Sequence, residues 1–218
     1  MPYLDEIVWG PIAPKWIGSY EAELHKIVER IVSGGYSRIV NVGCAEGYYA
    51  IGLAARMPGI EVFAFDIDPI ARQQTARLAS IVGVADRVNI RGKCTAASLE
   101  ELIGDNTLLA IDIEGFEVQL LDPDKVRGLA RASLLVEVHS SPPVELADAA
   151  QRLQARFEPT HDVHWFTAES REAQVYKYQS FWYGKTSPSR FADYLDEGRT
   201  EIQRWFWAEP KRKAGFDQ

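Results

Sequence analysis

Arg38-Ile39-Val40-Asn41-Val42 is an apolar strand that runs straight into Gly43-Cys44-Ala45-Glu46-Gly47, and a helical pattern follows. A second apolar run, Glu61-Val62-Phe63-Ala64-Phe65, ends on Asp66. No other stretch restricts the fold as much. A strand–turn–helix–strand–acid unit belongs to a parallel sheet and suits a nucleoside cofactor. The two glycines let the backbone approach a ligand with no Cβ in the way. The acid at the second strand's tip is placed to accept hydrogen bonds from both ribose hydroxyls. Glycine turns alone are common, so the inference rests on the whole unit.

The rest of the chain repeats the alternation. Residues 1–18 read as an irregular arm that packs Trp9, Ile12, Trp16 and Ile17 onto the domain. Ser19 is the expected N-cap of a helix carrying Leu24, Ile27, Val28 and Ile31 up to Gly34-Gly35. Ala50, Leu53, Ala54 and Met57 face inward after the glycine turn, until Pro58-Gly59 stops the helix. Asp68 caps a helix opened by Pro69, with Ala71, Leu78, Ile81 and Val82 on one face and Gly83 at its end. A short strand covers 87–91. Thr107 to Asp112 and Ala132 to His139 are near-continuous apolar runs, as expected of strands buried on both faces. Pro142-Pro143 starts another helix. A strand at 161–166, a helix near 188–198 and a strand at 202–207 complete the reading. The pattern predicts one α/β domain over 1–218, with an arm and helix over 1–35 and a polar and aromatic cap over 168–200. Its sheet is doubly wound, so ligands belong at the strands' C-terminal ends.

The 218 residues suit one such domain, and a net charge of −7 argues against broad attraction to nucleic acid. Lys211-Arg212-Lys213 is a local basic cluster that reads as a solvated tail. Two cysteines, Cys44 and Cys94, are too few for a disulfide framework, and Cys44 reads as a small packing residue. No leader and no membrane-length apolar run is read, so the expected compartment is the cytoplasm, with no membrane partner.

Asn41 to Gly47 resembles motif I of the class I S-adenosylmethionine (SAM) methyltransferases. Asp112-Ile113-Glu114-Gly115-Phe116-Glu117, followed by Glu137-Val138-His139, resembles the FkbM-type methyltransferases, which carry Asp-x-Glu-Gly-x-Glu after the fourth strand and Glu-x-His after the fifth. The resemblance covers about residues 19–140. It implies a Rossmann-like, seven-stranded sheet of order 3-2-1-4-5-7-6 with strand seven antiparallel, and O-methylation of a small-molecule or natural-product hydroxyl. Asn41 departs from the pattern, since an acid usually stands there. Nothing after residue 140 is carried over.

The resemblance assigns Gly43, Cys44, Ala45 and Gly47 to the methionine and ribose of SAM, and Asp66 to the ribose diol. Ile67 would pack on the adenine, and Tyr20-Glu21 would lie near the cofactor at the opening of the first helix. The loop Gly92-Lys93-Cys94-Thr95 would pass near the adenine. Asp112 would orient substrate, contact the SAM amine or bind a metal. Glu114 and Glu117 would share a face if a helix starts there, although acids at a helix start also simply complement its dipole. His139 is the candidate general base, available as neutral imidazole near its ordinary pKa of about 6.5. Asp112, Glu137 and His139 are alternatively a ligand set for Mg²⁺ or Mn²⁺. His161 and His164 point to opposite strand faces and do not form a site. Phe181, Trp182, Tyr183, Phe191 and Tyr194 are either the acceptor-site cap or plain packing.

Two other functions compete. A noncatalytic SAM-binding protein is compatible with Asn41. An NAD-dependent oxidoreductase is compatible with Asp66, but the turn lacks Gly-x-Gly-x-x-Gly spacing.

Overall fold

The strands Arg38–Val42 (β1), Glu61–Phe65 (β2), Val88–Arg91 (β3), Thr107–Ile111 (β4), Ser133–Val138 (β5), His161–Thr167 (β6) and Arg204–Pro210 (β7) form one sheet of order 3-2-1-4-5-7-6. This computed structural model describes residues 1–142, 144–168, 170–182, 184–199 and 203–211, with the backbone alone for residues 171, 172, 181 and 182. β1 to β5 pair in parallel, and β7 runs antiparallel between β5 and β6. The fold is the seven-stranded doubly wound sheet expected from the sequence.

The helices are Ala13–Ile17 (α1), His25–Ser33 (α2), Tyr48–Arg56 (α3), Pro69–Val82 (α4), Ala96–Leu102 (α5), Glu117–Leu120 (α6), Leu146–Phe157 (α7), Arg171–Lys177 (α8), Gln179–Trp182 (α9) and Pro188–Tyr194 (α10). Strand side chains alternate, so the sheet has two apolar faces. Ile39, Val62, Ala64, Leu108 and Leu135 pack against α2, α3 and α4 on one side. Val40, Phe63, Leu109, Leu134 and Val136 pack against α5 and α7 on the other. Truncating any of these buried leucines to alanine costs about 2–5 kcal/mol.

Register sets the site. Val42 lies beside both Phe65 and Ile111, so Gly43, Asp66 and Asp112 leave the sheet at one level. Ile111 pairs with Val136, so β5 runs two residues further and carries His139 above Asp112.

Several local expectations change. Ser19 is not a helix cap: it is buried, and its hydroxyl donates to the Pro14 carbonyl at 3.5 Å. A 3-10 turn, Ala22–Leu24, precedes α2, and Glu21 stands before it in the left-handed region with φ 49°. Tyr20-Glu21 therefore lies in a turn and does not open a helix. Trp9 and Trp16 are about half exposed; Leu4 is the arm's buried anchor, because the Trp16 indole only caps the Leu4 carbonyl at 2.9 Å. Ile81 is exposed, and Thr75 and Ala79 complete the inner face of α4. Pro142 does not begin a helix; α7 starts at Leu146 after a bridge between Ser141 and Val144. Pro143, Tyr183, Ile202, Arg212 and Lys213 lie outside the described residues, as do the side chains of Phe181 and Trp182. Phe191 is buried beside Leu195, Ile17 and Val175, so it packs α10 onto the arm, whereas Tyr194 is exposed.

Arg199 ties this region to the N-terminus. It donates to Glu23 at 2.8 Å and to Glu197 at 2.5 Å, both carboxylates nearly buried. Among the described residues no helix is long and apolar enough to cross a membrane.

Candidate functional site

The glycine turn is built by backbone constraints. Gly43 adopts φ +75°, and a Cβ there would lie 1.6 Å from the Asp112 carbonyl. Any side chain would push β4 away from β1. The N–H groups of Gly43 and Cys44 both donate to the Phe65 carbonyl, at 2.9 and 3.0 Å. Gly47, at φ +95°, leaves room for Ile51 and Thr75, which a Cβ would meet at 2.9 and 3.1 Å. Asp66 braces the turn from the next strand: Oδ2 accepts from the Ala45 N–H and Oδ1 from the Asp68 N–H, both at 2.9 Å. Each oxygen keeps a second lone pair for a ligand hydroxyl. Asp68 caps α4 as expected, accepting from the Ile70 N–H at 2.8 Å. Ile67 beside it is 77% exposed, an uncovered apolar surface next to the acid.

Cys44 is buried, its sulfur 3.5 Å from the Thr75 hydroxyl. Burial pushes its thiol up to about 12, so it packs and is not a nucleophile at neutral pH. Asn41, in the place of the family's acid, donates to the Ala110 carbonyl at 3.1 Å.

A cleft opens between this turn and the arm, lined by Lys15, Tyr20, Glu21, Asn41, Gly43 and Asp112 among others. Its polar lining is unbalanced. Asn41 Oδ1, Glu46 Oε2 and Asp112 Oδ1 are sealed from solvent with no hydrogen-bond partner, and Trp205 Nε1 is the one unsatisfied donor among the lining side chains described. Unpaired buried acceptors are costly, so three of them around one cleft mark a place for a donor-rich, cationic group. Glu21 is buried and accepts from the Tyr49 hydroxyl; burial, and then the Glu137 charge, hold its pKa well above the carboxylate range.

The second half of the site sits beyond β4 and β5. Gly115, at φ +100°, lets the 112–116 loop pack on the next one, since a Cβ there would meet Ser141 Cβ at 2.7 Å. The loop is not a helix start. Glu114 takes the left-handed conformation with φ 54° and turns outward, while Glu117 opens α6 and turns in, so the two do not share a helix face. Glu117 Oε1 accepts from the Ile113 and Gly115 N–H groups at 3.3 and 3.1 Å and meets His139 Nδ1 at 3.0 Å. His139 Nε2 faces three more carboxylates: Glu137 at 3.5 Å, Glu114 at 3.7 Å and Asp112 at 3.8 Å.

That ring opposes the neutral imidazole expected from the sequence. Burial by itself would lower the His139 pKa, but hydrogen bonds to Glu117 and Glu137 and the Asp112 charge outweigh it and push it up to about 11. Burial, then Glu137, raises Asp112 well above its ordinary value. Asp112, Glu114 and His139 each offer a ligand atom within 4.8 Å of the others, a spacing a divalent cation can bridge. His161 and His164 contribute nothing similar: His161 is buried against the Ala132 carbonyl at 3.0 Å, and His164 points to solvent.

The sequence reading missed Lys15, Glu46 and Trp205. Glu46 belongs to the glycine turn and is fully buried between Tyr3 and Lys15.

No protein-family model matches the chain. A stretch of 95 residues is 34% identical to the tRNA1(Val) (adenine(37)-N6)-methyltransferase of Porphyromonas gingivalis, covering 42% of this chain and 37% of that relative. The chain thus spans well under half the length of that protein. Rv0187 from MTB, solved with cofactor bound, aligns over 84% of this chain and 77% of its own with a TM-score of 0.56 at 16% identity. The O-methyltransferase TomG from Streptomyces achromogenes, in complex with SAM, aligns over 92% and 87% with a TM-score of 0.56 at 12% identity. At these identities the likeness is one of fold. Together with strand order and the antiparallel β7, it shows that this chain shares the seven-stranded α/β fold of these proteins, a fold that TomG, an O-methyltransferase, also has.

Proposed function

We propose that this chain is a SAM-dependent methyltransferase that methylates a hydroxyl on a small molecule or natural product. One observation carries the reading: three buried acceptors without a hydrogen bond, Asn41 Oδ1, Glu46 Oε2 and Asp112 Oδ1, line the cleft at the tips of β1 and β4, the last of them 3.8 Å from His139 Nε2. SAM brings an ammonium and a sulfonium, and NAD brings neither. Gly43, Cys44, Ala45 and Gly47 then cradle the methionine and ribose, and Asp66 accepts the ribose hydroxyls. Ile67 lies under the adenine, Tyr20 and Glu21 border the methionyl end, and Asp112 reaches the ammonium. The motif spread over Asp112 to Glu117 and Glu137 to His139 supports an FkbM-type enzyme, and the matching of TomG in fold supports oxygen as the acceptor atom.

Methylating a hydroxyl requires its proton to leave. With four carboxylates around it, His139 keeps its own proton until positive charge enters the ring. Bound SAM would bring a positive charge to the cleft that lowers the His139 pKa; His139 would then release its Nε2 proton to solvent and be free to accept the hydroxyl proton, with Glu117 fixing its Nδ1 side. A second reading rests on the spacing of Asp112, Glu114 and His139, whose ligand atoms all lie within 4.8 Å of one another. Asp112, Glu114 and His139 would hold Mg²⁺ or Mn²⁺, hard cations that suit these donors and would acidify the hydroxyl. Chelation separates the two: activity lost with EDTA and restored by Mg²⁺ supports the cation, and activity unaffected supports the base.

The tRNA-modifying relative raises RNA as an acceptor. A net charge of −7 and an acidic rim beyond β4 and β5 oppose a phosphate backbone, so the small-molecule reading stands. A noncatalytic SAM-binding role does not account for the histidine ring. The test is incubation of the protein with isotopically labelled SAM and a cell extract, followed by mass spectrometry. Label in a small hydroxyl compound supports the proposal. Label confined to RNA, or none transferred while SAM is bound, contradicts it.

A further inference from the structure

The arm ahead of the sheet places one cation in the cleft. The side chain of Lys15, on α1, is 4% exposed, and its Nζ lies 2.5 Å from Glu46 Oε1. The same oxygen accepts from the Tyr3 hydroxyl at 2.5 Å, so two arm residues converge on the glycine turn. Nζ also sits over the Tyr20 ring, 4.7 Å from its centroid. Lys15 is the only cationic side chain among the described residues lining the cleft; Glu21, Glu46 and Asp112 are its acids. The free space between turn and arm is about 40 Å³, room for water but not for an amino acid, so the arm would have to move for such a ligand to enter.

A buried pair such as Lys15–Glu46 is weak as a stability device, because both charges lose their hydration. A ligand could use both partners at once. Three unpartnered acceptors suit an ammonium, and an α-amino acid presents a carboxylate one carbon away. We propose that Lys15 is the carboxylate-binding residue for the methionyl end of the cofactor, with Glu46 keeping the lysine aimed and the arm closing on it. The inference rests on the SAM reading but concerns a residue which that reading does not need.

Two probes and two variants test it by calorimetry. The probes are S-adenosylhomocysteine, which carries the amino-acid end, and 5′-methylthioadenosine, which lacks it. Lys15→Met is expected to weaken S-adenosylhomocysteine roughly 10- to 100-fold, the range for a lost charge-assisted hydrogen bond, and to leave methylthioadenosine within about twofold. Lys15→Gln keeps a donor for Glu46 and safeguards the fold; it is expected to show the same selective loss. Equal losses for both probes in a folded variant would make Lys15 a structural pin and overturn the proposal, as would unchanged affinity for both. If the wild-type protein binds neither probe, the SAM reading itself fails. That result is distinct from one in which the wild type binds both probes and the variants do not discriminate.

Discussion

The two halves of the site are made from different materials. Around β1 and β2 the working parts are backbone: positive-φ glycines, N–H groups on the Phe65 carbonyl, and one carboxylate bracing two amides. Around β4 and β5 they are side chains: a histidine among four acids, with electrostatics that no single residue sets. In the proposed reading the first half, fixed by backbone geometry, holds the cofactor, and the second, rich in charge, moves a proton or holds a cation. Damage to the first should therefore appear in folding and cofactor affinity, and damage to the second in turnover and pH dependence.

The largest effect is expected at Gly43. Gly43→Ala puts a Cβ on the Asp112 carbonyl and a side chain in the left-handed region, where the strain is about 1–2 kcal/mol even without the clash. Loss of cooperative thermal unfolding is expected, and a variant melting within a few degrees of wild type would break the backbone side of the comparison. Next comes His139→Ala, with turnover down about 10²–10⁴ and S-adenosylhomocysteine affinity nearly unchanged. Loss of affinity with normal turnover would move His139 to the holding half. Asp66→Ala should do the reverse, weakening S-adenosylhomocysteine by about 1.5–3 kcal/mol, read by calorimetry, with a smaller effect on the rate at saturation.

The remaining readout is stability against pH, measured in chelator. Folding raises the His139 pKa from about 6.5 to about 11. The folded protein thus binds the extra proton between those values. Its contribution is full below about pH 6.5 and is lost as pH rises toward 11. Asp112 and Glu21, also raised, lose stability upward from the carboxylate range, so the signs agree. His139→Gln should flatten the alkaline part of the denaturation midpoint curve; an unchanged slope would show that the ring is not coupled as described.

What the sequence disclosed follows the same division. β1, β2 and β4 fall at the residues read from their apolar runs, because strands buried on both faces leave an unbroken pattern. The glycine turn and the Asp68 cap are local, so they too were legible. Lys15 pairs across 31 residues and Arg199 with Glu23 across 176, and no spacing rule reaches that far. Glu114 and Glu117 misled for a related reason: a helical spacing was read where Gly115 permits a left-handed turn. His139 is a candidate by its type and place, but its proton affinity depends on four acids, from the loop after β4, the start of α6 and β5, that only the fold assembles.

Calorimetry of the wild-type protein with S-adenosylhomocysteine and with NAD⁺ tests the central claim most directly, because the two share the adenosine that Asp66 and Ile67 would hold. The account predicts binding of S-adenosylhomocysteine, whose ammonium meets the unpartnered acceptors of the cleft, and no comparable affinity for NAD⁺. Tight NAD⁺ binding without S-adenosylhomocysteine binding would contradict it.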